Sequence, residues 1–122
     1  MKLMIVDDSN IIRNRIARIV DDERLPNTQI VAIANNGAEA VKLFISTKPD
    51  VVTMDLTMPE MDGVQCTAAI VDINPDVNIL IVSALSDKAT AINALKKGAQ
   101  GFLYKPFTDE ELIHALLELT EP

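Results

Sequence analysis

Five short apolar runs recur along the chain: residues 2 to 6 (KLMIV), 29 to 34 (QIVAIA), 51 to 54 (VVTM), 77 to 82 (VNILIV) and 101 to 104 (GFLY). Each has the length of a strand. Each is nearly continuous rather than alternating, as expected of strands covered on both faces of a sheet. Between the runs the apolar spacing changes to that of a helix. Ile12, Ile16, Ile19 and Val20 share one face of the first such stretch, and Val41, Phe44 and Ile45 share one face of the second. The pattern predicts strand and helix alternating five times, and hence an α/β fold built on a parallel sheet.

Capping chemistry sharpens the boundaries. Ser9, Asn36, Ser86 and Thr108 each stand where a helix is expected to begin, and Thr108 with Glu111 has the spacing of a capping box. Gly98 is well placed to stop the fourth helix. The third helix is expected from about Gly63 to just before Pro75, although its apolar stripe is the least regular.

With 122 residues and no linker or low-complexity segment, the chain reads as one domain over residues 1 to 122. It stops just after the fifth helix, so the domain either stands alone or has been separated from an effector. Eighteen acidic against eleven basic side chains give a formal charge of -7. That charge repels a phosphate backbone, so direct nucleic-acid binding is not expected. The apolar runs are too short to span a membrane and no export leader is visible, so a cytoplasmic protein is expected. The single cysteine, Cys66, allows neither an internal disulfide nor a cysteine-based metal cage and reads as structural.

In open sheets of this kind, ligands sit beyond the carboxyl ends of the strands. Asp7 and Asp8 follow the first strand, Asp55 ends the third, Ser83 ends the fourth and Lys105 ends the fifth. Singly, each has a plainer reading: turn or cap residues for Asp7 and Asp8, a hydroxyl starting a helix for Ser83, a surface charge for Lys105. Together they put two acidic groups, another acid, a hydroxyl and a lysine at one edge. Three converging carboxylates repel one another unless a cation is present. Oxygen-only ligands of this number suit Mg²⁺, with Mn²⁺ as a substitute. A carboxylate beside such an ion is able to attack phosphorus and form an aspartyl phosphate.

The segments MIVDDS, MDLTMPEMDG, VSALSD and GFLYKPF, in that order, resemble the receiver domains of bacterial two-component response regulators, including single-domain chemotaxis regulators. The resemblance covers essentially the whole chain. It implies a flavodoxin-like, doubly wound (βα)5 fold with strand order 2-1-3-4-5. It implies that Asp55 is the phosphoryl acceptor, Asp8 a direct metal ligand, Asp7 the second acidic-pocket residue and the backbone carbonyl of Thr57 a further metal contact. Lys105 matches the lysine that pairs with the phosphoryl group, Ser83 the switch hydroxyl, and Phe102 the aromatic that turns inward as the hydroxyl moves. It also implies a cis peptide bond between Lys105 and Pro106.

The function implied is phosphorelay signalling. The phosphoryl donor is a histidine kinase or histidine phosphotransfer protein, and the readout is an output protein on the face made by the fourth helix, fifth strand and fifth helix. Lys88, Lys96, Tyr104 and His114 are candidates for exposure there. Such a protein is a monomer or a phosphorylation-dependent dimer, and not a conventional enzyme, although it catalyses its own phosphorylation and slow autodephosphorylation. Two positions depart from the chemotaxis regulator: Thr57 replaces an asparagine, and Leu85 replaces a glutamate that orients the hydrolytic water. An aliphatic Leu85 has no group to hydrogen-bond water, so slower self-dephosphorylation is expected.

Two other classes compete, a phosphate-independent binding module and an enzyme acting on a separate substrate, the latter as a flavodoxin-like carrier or a phosphatase. A phosphate-independent binding module is disfavoured by the intact acidic pair, acceptor and lysine. A flavodoxin-like carrier lacks a phosphate-cradling first loop, because two carboxylates occupy that place. An aspartate-dependent phosphatase requires an Asp two residues after its nucleophile, where Thr57 stands.

Overall fold

A computed structural model describes residues 1–121. The elements follow in the order β1 (Lys2–Val6), α1 (Asn10–Ile19), β2 (Gln29–Ala34), α2 (Gly37–Thr47), β3 (Val51–Met54), α3 (Gly63–Ile73), β4 (Asn78–Ala84), α4 (Lys88–Lys96), β5 (Gly101–Lys105) and α5 (Asp109–Thr120). All strand pairs are parallel. The sheet has the order β2-β1-β3-β4-β5, the flavodoxin-like arrangement.

Continuous apolar strands follow from a sheet covered on both sides. Successive side chains of a strand point to opposite faces, and here both faces are core. Met4, Val6, Val52, Met54, Ile79 and Ile81 enter the cluster beneath α2, α3 and α4, with Phe44 and Ile70 from the helices. Leu3, Ile5, Val51, Leu80 and Val82 enter the opposite cluster, with Ile16 and Ile19 of α1 and Leu112, Ile113 and Leu116 of α5. Fully burying one such aliphatic side chain is worth about 1.5–3 kcal/mol, so either layer suffices to fix the register of the strands beneath it.

Most boundaries lie where the capping residues put them. Ser9 accepts from the Ile12 N–H, Asn36 from the Glu39 N–H, and Thr108 forms a reciprocal capping box with Glu111. Gly98, with φ of 121°, ends the turn after α4 in a conformation that L side chains avoid. Ser86 does not cap a helix. The chain leaves β4 directly into a 3-10 turn, Leu85–Asp87, so Ser86 already lies inside a turn, and α4 starts at Lys88 without a side-chain cap. Asp62, which carries no apolar signal, caps α3 by accepting from the Gln65 N–H. Ile45 is 57% exposed rather than on the buried face of α2. That face is centred on Gly37, Ala40 and Phe44, and at 100° per residue Ile45 falls past its edge. β4 begins one residue later than expected and runs to Ala84, which puts Ser83 inside the strand. No helix among the described residues is long and apolar enough to cross a membrane.

Candidate functional site

The acidic edge is assembled by backbone pairing before any side chain takes part. β1 lies between β2 and β3, and the pairing continues one residue past each strand end. The Asp7 N–H donates to the Ala34 carbonyl at 3.1 Å, and the Asp55 N–H donates to the Val6 carbonyl at 2.9 Å. Asp7 and Asp55 are therefore anchored side by side just past the ends of the neighbouring strands β1 and β3. Carboxylate oxygens of Asp7, Asp8 and Asp55 all lie within 4.8 Å of one another. Asp7 and Asp55 are buried and Asp8 is exposed, so the cluster opens to solvent on one side.

Local contacts fix the loop that carries the acidic pair. The Ser9 N–H donates to Asp7 Oδ1 at 2.9 Å, while the Ser9 side chain caps α1. From the first turn of α1, Arg13 Nη1 donates to the Asp7 backbone carbonyl at 2.8 Å, and Nη2 to Asn10 Oδ1 at 3.3 Å. Behind Asp55 the chain folds back tightly, and the Gly63 N–H donates to the Leu56 carbonyl at 2.9 Å. A Cβ at Gly63 would lie 2.1 Å from the Asp55 carbonyl oxygen. The glycine is required there for close approach, and its φ lies outside the left-handed region.

Lys105, the last residue of β5, reaches back across the edge. Its Nζ lies 2.9 Å from Asp7 Oδ2 and 3.3 Å from Asp55 Oδ1. The first contact is a close ion pair without the alignment of a hydrogen bond, and the second meets the directional criterion. One ammonium thus touches two members of a three-carboxylate cluster. Burial, followed by the field of Asp7, pushes the Asp55 carboxyl up to about 6, against the opposing pull of Lys105. Burial works against the charge of Lys105, but its pairing with Asp7 and the field of Asp55 outweigh that, and its pKa moves upward. The excess negative charge and the oxygen-only donor set fit a small hard divalent cation.

Of the other expected residues, Ser83, Phe102 and Tyr104 lie in the sheet. Met54 pairs with Ile81, so Asp55 and Ser83 extend neighbouring strands at the same end. Ser83 is buried, and its Oγ has no hydrogen-bond partner among the described residues. Thr57 is an exposed residue of the β3–α3 loop. Phe102 sits in β5 opposite Ile81, 39% exposed, with its ring edge-on to Tyr104 at 5.1 Å between centroids. The Lys105–Pro106 peptide bond is cis. Lys88, Lys96 and His114 are exposed, while Tyr104 is only partly so.

Two residues of this edge escaped the sequence. Arg13 and Arg15 lie off the apolar stripe of Ile12, Ile16, Ile19 and Val20. Arg13 grips the Asp7 carbonyl, and Arg15 packs its guanidinium over the Phe107 ring, 4.7 Å from the centroid. Neither contact leaves a periodicity signal: the first is local to the start of α1, and the second depends on where the β5–α5 loop passes.

Residues 3–117 match the response regulator receiver domain family. The chemotaxis protein CheY of Listeria monocytogenes is 42% identical over 116 residues, 95% of each chain. The chemotaxis protein CheY of Thermotoga maritima is 36% identical over 120 residues, 98% of each. A chain in the crystal structure of the CheX-CheY-BeF3-Mg+2 complex from Borrelia burgdorferi is similar with a TM-score of 0.91 at 28% identity, over 100% of this chain and 90% of that one. With the acidic edge, the lysine and the sheet order already in place, the chain belongs to the response regulator receiver domains, signalling proteins of phosphorelays rather than conventional enzymes.

Proposed function

We propose that Asp55 accepts a phosphoryl group from a histidine kinase or histidine phosphotransfer protein, and that the phosphorylated domain is then read by an output protein. The observation that carries this reading is the convergence of three carboxylates, all within 4.8 Å, two of them paired with a single lysine. Asp7, Asp8, Asp55 and the backbone carbonyl of Thr57 would hold Mg²⁺ or Mn²⁺, which when bound neutralises phosphoryl oxygens. Ionised Asp55 is the nucleophile. Its Oδ forms the bond to phosphorus as the P–N bond of the donor phosphohistidine breaks, and the electron pair leaves with the imidazole.

Lys105 is charged and already at the acceptor, so it follows the new charge onto a phosphoryl oxygen. Ser83 Oγ, buried and without a partner among the described residues, gains an acceptor in the same group. As that hydroxyl moves, the half-exposed ring of Phe102 turns inward and the face of α4, β5 and α5 changes shape. The domain's own chemistry is its phosphorylation and the slow hydrolysis that follows. The reading assigns it to the cytoplasm, as a monomer or a dimer formed on phosphorylation. Likeness to a chain from a complex that contains BeF3 and Mg+2 supports the ligand assignment.

Labelling by acetyl phosphate tests the acceptor. Wild type takes up label only with a divalent cation, and Asp55→Asn takes up none. Label that persists in the mutant, or that needs no cation, sinks the reading.

A further inference from the structure

Lys105 lies at the end of an edge strand, and its useful position depends on the loop that follows. That loop, residues 106 to 108, has its own anchor, which comes from the far end of the sequence. Arg15 of α1 stacks over the Phe107 ring, with its guanidinium carbon 4.7 Å from the centroid. Its Nη2 donates to the Phe107 backbone carbonyl, the hydrogen bond to that oxygen among the described residues. The same nitrogen lies 3.8 Å from Asp109 Oδ1 in the first turn of α5. Phe107 itself is buried in the cluster between α1, α5 and the sheet.

We infer that Arg15 is a positioning residue for Lys105, holding the β5–α5 loop so that the ammonium stays at the acceptor; this rests on the role of Lys105 proposed above. Only Pro106 separates Lys105 from the gripped carbonyl. Removing the guanidinium strips the donor from a buried carbonyl and the cover from a buried ring, and the loop must shift to rehydrate that oxygen. A shift there is passed directly to the Lys105 backbone. The acidic pair is insulated from it, because the Asp7 loop is held separately by Ser9 and Arg13. Arg15 thus acts on the half of the site that binds phosphoryl oxygens and leaves the metal-binding half in place. The flat fork is needed both to stack and to donate, and a lysine at this position cannot do both.

Two titrations on the full chain test this: Mg²⁺ alone by calorimetry, and beryllofluoride in saturating Mg²⁺ by fluorine NMR. Arg15→Ala should bind Mg²⁺ as wild type does or slightly tighter, and beryllofluoride about tenfold more weakly, the usual scale for loss of an outer supporting contact. Arg15→Lys should recover less than half of that loss on a logarithmic scale. Arg18→Ala, which removes a neighbouring arginine that pairs with Asp109 but does not touch Phe107, should match wild type in both titrations. Equal beryllofluoride affinity in Arg15→Ala and wild type overturns the inference, as does full rescue by Arg15→Lys or an equal loss in Arg18→Ala. Failure of wild type itself to bind beryllofluoride instead overturns the proposed function.

Discussion

Asp55→Asn should make this protein more stable, although it removes the proposed acceptor. Asp55 is 6% exposed, and its oxygens lie among those of Asp7 and Asp8. Its pKa stands at about 6, against 3.8 for the free side chain. A raised carboxyl pKa means that the native chain holds its proton more tightly than the unfolded chain does. Stability therefore falls as pH climbs from about 4 to about 6, and the loss is complete above that range. The rise from 3.8 to about 6 is worth about 3 kcal/mol, the burden carried by ionised Asp55 near neutral pH. Asparagine has nearly the same shape and no charge, so it escapes the burden, while Lys105 keeps its contact with Asp7 at 2.9 Å. Urea denaturation in EDTA, followed by circular dichroism, should favour Asp55→Asn by about 3 kcal/mol near pH 7.5 and by roughly half that near pH 5. In melting temperature the neutral-pH gap is roughly 10 °C for a chain of this length. Added Mg²⁺ should narrow it, since an ion at ten times its Kd stabilises the wild type by about 1.4 kcal/mol and the mutant, with one ligand fewer, by less. A mutant no more stable than wild type near pH 7.5, or a gap that does not shrink toward pH 5, refutes the account of the acidic edge.

Three further outcomes are expected. Leu85 is 65% exposed just beyond Ser83, and replacing it with Glu supplies an acceptor to orient water, so Leu85→Glu should shorten the aspartyl-phosphate half-life by about tenfold; an unchanged decay after labelling counts against a role for that position. Thr53 Oγ1 is buried in β3 without a hydrogen-bond partner among the described residues, so Thr53→Val should raise stability by about 1 kcal/mol in urea, and a clear loss would mean that the hydroxyl is bonded. Gly63→Ala forces a methyl group to 2.1 Å from the Asp55 carbonyl oxygen, so it should destabilise the fold by about 2 kcal/mol or more and abolish labelling; near-normal behaviour would show that the turn behind Asp55 has slack.

The strands were legible because a sheet with helices on both faces has no solvent side to interrupt its apolar runs. β1, β2 and β3 match the predicted residues for that reason. The end of β4 was less legible. Ser83 and Ala84 are small and only weakly apolar, yet they stay paired with Tyr104 and Lys105 because the neighbouring strand is there to receive them. The start of β5 hides a similar device: Gln100 Oε1 accepts from the Ile79 N–H and its Nε2 donates to the Val77 carbonyl, so an amide side chain pairs with the β4 backbone just before β5 begins. Composition gives no hint of that use. Ser86 misled because a hydroxyl before an apolar run marks a cap only where the preceding backbone is extended, and a 3-10 turn had already begun.

The acidic site was legible for a different reason. Its residues sit at strand ends, and parallel order brings strand ends to one edge whatever the details of packing, so naming the ends was enough to name Asp7, Asp8, Asp55, Ser83 and Lys105. Arginines on a helix carry no such address. The reach of Arg13 back to the Asp7 carbonyl is local, six residues, and a helix-start geometry could have suggested it. The reach of Arg15 to Phe107 crosses 92 residues and exists only because α1 and α5 cover the same face of the sheet. The same is true of the charge balance, since the proton affinity of Asp55 is set mainly by burial and by Asp7, against a lysine 50 residues away. Sequence spacing therefore located the groups that gather at the acidic edge, while how firmly each is held, and at what pH each is charged, depends on contacts between segments that only the folded chain brings together.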